Sequence, residues 1–224
     1  MHLPQEGDFI DIHNHGGVPA PGIFILETLM AHEGRNPQDV PGIAYTYGIH
    51  PWFLQRDNYQ KQIESVRLNA ENPSVIAIGE AGFDKLRGAD PDLQRSVFEE
   101  QVEISEMVKK PVVIHCVRAW DELLSVHKRM KPKMPWLIHG FRGNVKQSMQ
   151  LLSKGMYLSF WFNFILRPES SQLIRAVPEN RIFLETDGAD VGIIEIYKKV
   201  SSDKEIDVEE LKSLIFSNFK SFFA

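Results

Sequence analysis

Short apolar runs recur along the chain, separated by longer stretches in which apolar residues return every three or four positions. Residues 9–12, 75–78, 112–114, 136–138 and 182–184 are nearly continuous in aliphatic and aromatic side chains, the pattern of strands buried on both faces. Runs at 23–29, 44–47 and 156–160 bring the predicted strands to eight. Helical periodicity covers 58–71, 92–109, 120–130, 145–153, 169–177, 193–200 and 208–222. The clearest helix opens on Asp90-Pro91, a capping acid followed by proline at the first helical position, and its Leu93, Val97, Ile104 and Val108 share one face. Strands alternating with helices read as repeated βα units. In 224 residues they predict one α/β domain over 1–224, a TIM-like (β/α) barrel.

One crossover breaks the rhythm. Only Gly16-Gly17-Val18-Pro19-Ala20-Pro21-Gly22 separates His15 from the next apolar run. That is too short for a returning helix, but seven extended residues span roughly 23 Å, about the length of a barrel strand. The first crossover helix is therefore expected to be shortened or absent. Residues 16–22 would form a non-helical strap that leaves the flank between the first two strands less covered. In the alternative, residues 23–32 are themselves the helix, with Ile23, Leu26 and Met30 on its face, and the barrel has seven strands.

Composition narrows the function classes. At 43% apolar residues the chain can build a sizeable core, and 25 Lys+Arg against 30 Asp+Glu gives a net charge of -5, without the basic field that grips long duplex. The first residues lack a basic and then apolar leader, and no run of about 18 apolar residues occurs, so a soluble protein with no membrane contact is expected. The one cysteine, Cys116, excludes an internal disulfide and fits a cytoplasmic location.

The candidate chemistry gathers where strands end. His13, His15, Glu80, His115, His139 and Asp187 lie at, or within two or three residues of, the C-terminal ends of predicted strands, and a parallel barrel collects those ends on one face. These are residue types that hold a pair of divalent metals. In Asp11-Ile12-His13-Asn14-His15, strand alternation points both imidazoles the same way, toward one ion. Glu80, flanked by Gly79 and Gly82, can bridge two metals. His115 and His139 would supply the second ion, although His115 could equally be a core histidine bonded to backbone. Asp187 is the last ligand or the general base that takes a proton from an attacking water. Glu185 reads as a pairing residue behind the ligands. His50 would make one ligand too many, and is assigned to the substrate or leaving group, or to ordering the Pro51 turn.

The motifs Asp11-Ile12-His13-Asn14-His15, Gly48-Ile49-His50-Pro51, Ile78-Gly79-Glu80-Ala81-Gly82-Phe83-Asp84, Lys110-Pro111-Val112-Val113-Ile114-His115, Ile138-His139-Gly140-Phe141-Arg142-Gly143 and Leu184-Glu185-Thr186-Asp187 resemble, in order and spacing, those of TatD-type metal-dependent hydrolases. The resemblance implies an amidohydrolase-like barrel with deoxyribonuclease or broader phosphodiesterase activity. It also implies two metals, one on His13, His15, Glu80 and Asp187 and one on Glu80, His115 and His139. The implied substrate is nucleic acid, with single-stranded DNA ends favoured by the acidic chain. Two metals would activate a bridging water. Four histidines suggest zinc, whereas magnesium or manganese suits a more oxygen-rich state. The chain departs from the family in its missing first helix, in Cys116-Val117 displacing an arginine to Arg118, and in Gly188-Ala189-Asp190 without proline. These changes bear on substrate choice.

Lys85, Arg118 and Arg142 follow metal-bearing strands and could contact phosphate, or be solvated loop cations. Trp161 or Phe162 could stack on a base, or belong to the core. Cys116 is expected to be a small buried residue rather than a nucleophile, and His2, His32 and His127 to be partnerless surface residues. The enzymatic rival uses the same site on a carboxylic ester or amide, and the non-enzymatic one is a metal-stabilised binding protein.

Overall fold

The computed structural model describes residues 2–161, 165 and 167–224. All eight predicted strands form: β1 Phe9–Asn14, β2 Ile23–Met30, β3 Ile43–Gly48, β4 Val75–Asp84, β5 Val112–Val117, β6 Trp136–Ile138, β7 Tyr157–Trp161 and β8 Ile182–Glu185. They make one sheet in the order β1-β2-β3-β4-β5-β6-β7-β8, with parallel registers such as Phe9↔Ile23, Tyr45↔Val75, Ile78↔Val112 and Leu158↔Ile182. Beyond β8, the Asp187 amide donates to the His13 carbonyl of β1 at 3.1 Å. The helices are α1 Tyr59–Ala70, α2 Pro91–Val108, α3 Trp120–Met130, α4 Val145–Leu152, α5 Ser170–Ala176, α6 Ile193–Lys204 and α7 Val208–Phe222. Sequential parallel strands with helices between them and the last returning to the first are the layout of a TIM-like (β/α) barrel.

Two compact units divide the chain. One comprises Met1–Glu27, Val40–Ala44 and Leu137–Ala224, the other Thr28–Asp39 and Tyr45–Trp136. In the first, Ile10, Ile12, Leu158, Phe160, Phe183 and Leu184 are fully buried, and in the second so are Val75, Ala77, Ile78, Val112, Val113 and Ile114. Near-continuous burial along these strands matches their near-continuous apolar sequence.

The crossover from β1 to β2 contains no helix, and Ile23–Met30 is a strand, which excludes the seven-stranded alternative. The expected thin cover over this flank is corrected by the C-terminal helices of the same unit. Phe219 of α7 packs edge-on against Phe24 at 5.3 Å, and Tyr197 of α6 accepts from the Ile10 amide and donates to the Ile10 carbonyl. Lys212 lies 4.4 Å over the Phe9 ring. The C-terminal segment thus buries apolar surface that a crossover helix would otherwise cover, so Phe24 is only 1% exposed.

In the second unit α2 positions loops as well as filling core. Asp90 caps it, accepting from the Leu93 amide at 3.1 Å, and Pro91 follows. Two buried glutamines seven residues apart on α2 then grip neighbouring backbone. Gln94 bonds both the amide and the carbonyl of Asp84, and Gln101 both the amide and the carbonyl of Ile49. The residues so fixed stand beside or within the chemistry described next.

Candidate metal centre

In the first unit, β1 delivers His13 and His15, and the loop after β8 delivers Asp187. Asp11 ties the two elements together: it accepts from Thr186 Oγ1 at 2.6 Å, the Thr186 amide at 3.0 Å and Asn14 Nδ2 at 2.9 Å. Burial nevertheless pushes the Asp11 carboxyl up to about 6, because these donors offset only part of the cost of a desolvated charge. Asp187 takes a left-handed backbone (φ 53°), uncommon outside glycine, while its amide is held by His13. This places Asp187 Oδ1 3.6 Å from His13 Nε2 and 3.5 Å from His15 Nε2. The ligand atoms of the three side chains all lie within 4.8 Å of one another. Donors bound to one ion at about 2.0–2.2 Å sit roughly 3 to 4 Å apart, so the trio fits a single cation.

His139, immediately after β6, stacks on His13 with ring centroids 4.1 Å apart. Its Nδ1 lies 3.4 Å from Glu185 Oε1, and Ser159 Oγ donates to Glu185 Oε2. Burial opposes the Glu185 charge, but His139, His13 and Ser159 outweigh it and hold the carboxyl below its usual range. Glu185 is thus a pairing residue, as expected, beside the candidate ligand His139.

In the second unit, β4 carries Glu80 and Asp84, β5 carries His115, and His50 follows β3. His115 Nδ1 is 2.8 Å from Glu80 Oε1, and His50 Nε2 is 3.1 Å from the same oxygen. Gly79 and Gly82 allow β4 to run this close to β5, since a Cβ on either would stand 2.3 Å from the Val113 carbonyl oxygen or 2.1 Å from that of His115. Asp84 accepts from Trp52 Nε1 at 2.6 Å and from the Leu86 and Arg87 amides, and lies 3.2 Å from His115 Nε2. Burial works against its charge, but the Trp52 indole, the Leu86 amide and His115 together lower its pKa. Glu80, His50 and His115 also keep their ligand atoms within 4.8 Å, so a carboxylate and imidazole donor set fits a divalent cation here too.

The remaining predicted positions are placed as follows. Lys85 is ion-paired with Glu122 at 2.8 Å. Arg118 is exposed on a left-handed backbone. Arg142 sits 5.2 Å over the Trp161 ring and lines, with Gln147, Arg167 and Glu169, a cavity of ≈ 360 Å³. Phe162 lies outside the described residues. Burial pushes the Cys116 thiol up, away from nucleophile character. His32 and His127 are not the partnerless residues expected: their rings meet Phe53 at 3.8 Å and Trp136 at 4.9 Å. Asp11, Asp84, Trp52 and Ser159 were not singled out in the sequence. Asp11 carries a usable signal, a charge two residues before His13 inside a buried strand.

A family model described as TatD related DNase matches residues 35–224. The chain belongs to the TatD related DNase family. This TatD match begins beyond β2, so it is the structure that brings His13 and His15 to Asp187. An uncharacterized metal-dependent hydrolase from Buchnera aphidicola is 27% identical over 203 residues, 81% of this chain and 77% of that protein. The 3'-5' ssDNA/RNA exonuclease TatD of Erwinia tasmaniensis is 31% identical over 147 residues, 63% of this chain. The aligned region spans only 56% of that exonuclease. A TatD homologue from Escherichia coli K12 superposes with a TM-score of 0.79 over 97% of this chain and 98% of its own, at 21% identity, a likeness of fold. No helix among the described residues is long and apolar enough to cross a membrane.

Proposed function

We propose that this TatD-family chain is a metal-dependent phosphodiesterase that removes nucleotides from single-stranded nucleic acid ends. The observation that carries the reading is the pair of histidine and carboxylate clusters, His13/His15/Asp187 and His50/Glu80/His115, in a chain of that family. Two divalent cations are proposed, one held by His13, His15 and Asp187 and one by Glu80 and His115. The family pattern adds Glu80 to the first set and His139 to the second. Cations so held would lower the pKa of bound water and offset charge developing on the phosphoryl oxygens.

The chain's own groups supply the rest. Asp187, its side chain 24% exposed, can be reached by water and takes the proton of the attacking water. His50 donates from Nε2 toward the substrate or the departing oxygen. Arg142 and Arg167 line a cavity suited to a phosphate oxygen, a ligand that guanidinium forks bind in bidentate fashion. A net charge of -5 offers little surface for tracking duplex, which favours ends over internal sites.

Metal analysis of the purified protein, followed by phosphodiester, phosphomonoester, ester and amide substrates, tests the reading. Glu80→Ala should abolish turnover and lower the bound metal; full metal content and full rate in that variant would overturn the assignment. Efficient internal cutting of an end-blocked oligonucleotide would overturn the preference for ends. Hydrolysis of amides alone would move the chain to the rival substrate class.

A further inference from the structure

We propose that Trp52 is a positioning residue whose two N–H groups make His50 a hydrogen-bond donor through Nε2 and hold Asp84 as the acceptor of His115 Nε2–H, leaving His115 Nδ1 as the nitrogen for a cation. Its backbone amide donates to His50 Nδ1 at 3.1 Å. An amide N–H can only donate, so His50 Nδ1 holds a lone pair and the ring proton sits on Nε2. That Nε2–H faces Glu80 Oε1 at 3.1 Å and His115 Nδ1 at 3.2 Å. A protonated Nε2 has no lone pair for a metal, so His50 leaves the ligand set despite its place in the cluster.

The other end of Trp52 acts on His115. Its indole Nε1–H donates to Asp84 Oδ2 at 2.6 Å, while the Leu86 and Arg87 amides donate to Oδ1 at 2.7 and 3.1 Å. Asp84, with donors already on both oxygens, stands 3.2 Å from His115 Nε2, the nitrogen that donates to it. His115 Nδ1 faces Glu80 Oε1 at 2.8 Å; without a cation this nitrogen donates as well, and a cation held between them would take the place of its proton. Both N–H groups of Trp52 donate outward, the amide to His50 and the indole to Asp84, whose other neighbour is His115. Histidine ligands are commonly oriented by a carboxylate on their second nitrogen; here one tryptophan orients both the carboxylate and a neighbouring donor histidine. Gly88 brings the loop after Asp84 against the turn carrying Trp52, since a Cβ there would stand 2.2 Å from the Pro51 carbonyl oxygen.

The ligand half of this proposal rests on the reading that Glu80 and His115 hold a cation; the tautomers do not. Long-range ¹H–¹⁵N correlation spectra of the imidazoles in the full-length, metal-free protein read them directly, with His50→Gln and His115→Gln giving the assignments. His50 should show the Nε2–H form and His115 a proton on Nε2, and a proton on His50 Nδ1, or a bare Nε2 on His115, would overturn the proposal. Trp52→Phe keeps the backbone amide and loses the indole donor, so His50 should keep its tautomer while His115 becomes a mixture. Asp84→Asn, which can turn an amide N–H toward Nε2, should move the His115 proton to Nδ1. Each variant should weaken zinc binding, titrated calorimetrically, by roughly 10- to 100-fold. Unchanged His115 signals in Trp52→Phe and Asp84→Asn would sink the idea even if activity fell. The expected tautomers in a wild-type protein that binds no zinc would instead remove the metal reading and leave the positioning role standing.

Discussion

Around Asp187 the cluster is open: the side chains of His15 and Asp187 are 34% and 24% exposed. Around Glu80 it is closed, with His50, Glu80, His115 and Asp84 all at or below 9%. The closed cluster is a hydrogen-bonded group of side chains that Trp52 donates into at His50 and Asp84, anchored by α2 through Gln94 and Gln101. The open one is set by backbone, a left-handed residue tied to β1 through Asp11. Water can reach the open cluster and bring a proton-accepting carboxylate into play, whereas burial strengthens electrostatics in the closed one and makes its geometry costly to disturb. Under the proposed function the same residue types would therefore serve different tasks, reactivity in one cluster and rigid presentation in the other.

The largest expected effect tests the reactive side of that contrast. Asp187→Asn keeps the shape and removes the basicity, so turnover should fall by about 10²- to 10⁴-fold with metal content largely retained; equal losses of metal and rate would make Asp187 chiefly a ligand. Next comes the tie beneath it. Asp11→Ala leaves the buried Thr186 and Asn14 donors without their acceptor and should cost about 2 kcal/mol, a fall in Tm of about 4–8 °C for a chain of this size. Because the Asp11 carboxyl is raised to about 6, the folded state binds its proton more tightly than the unfolded state. Its contribution is therefore fullest at acid pH and is lost as pH rises through about 6. Denaturation of the metal-free protein at pH 5 and pH 8 should show the larger penalty at pH 5.

On the closed side, Gln101→Ala strips the Ile49 amide and carbonyl of their partner and should cost about 1–3 kcal/mol. It should also broaden the His50 imidazole signal, an effect absent if α2 serves only as core. The smallest change is the control. Asp90→Ala removes the α2 cap, which should lower the urea midpoint slightly, and should leave the imidazole spectra as they are. Since hydrogen bonding to the Leu93 amide lowers the Asp90 pKa, its contribution is present above the ordinary carboxylate range and fades as pH falls through the lowered value.

Much of this molecule was legible in its sequence. Eight strands, the missing first helix and the candidate ligand residues follow from local patterns, because a strand buried on both faces must be apolar along its length and because chemistry collects at strand ends. The prolines and glycines of residues 16–22 exclude a helix by themselves. Pairwise closeness of side chains distant in sequence is not written locally. Asp11 meets Thr186 across 175 positions, Phe24 finds its cover on Phe219, and His127 its ring partner on Trp136. Whether His50 donates or ligates depends on which nitrogen the Trp52 amide reaches, a matter of placement that residue identity leaves open. Only the packed chain, by bringing an obligatory donor and an ionised acceptor to fixed sides of two imidazoles, decides where their protons reside.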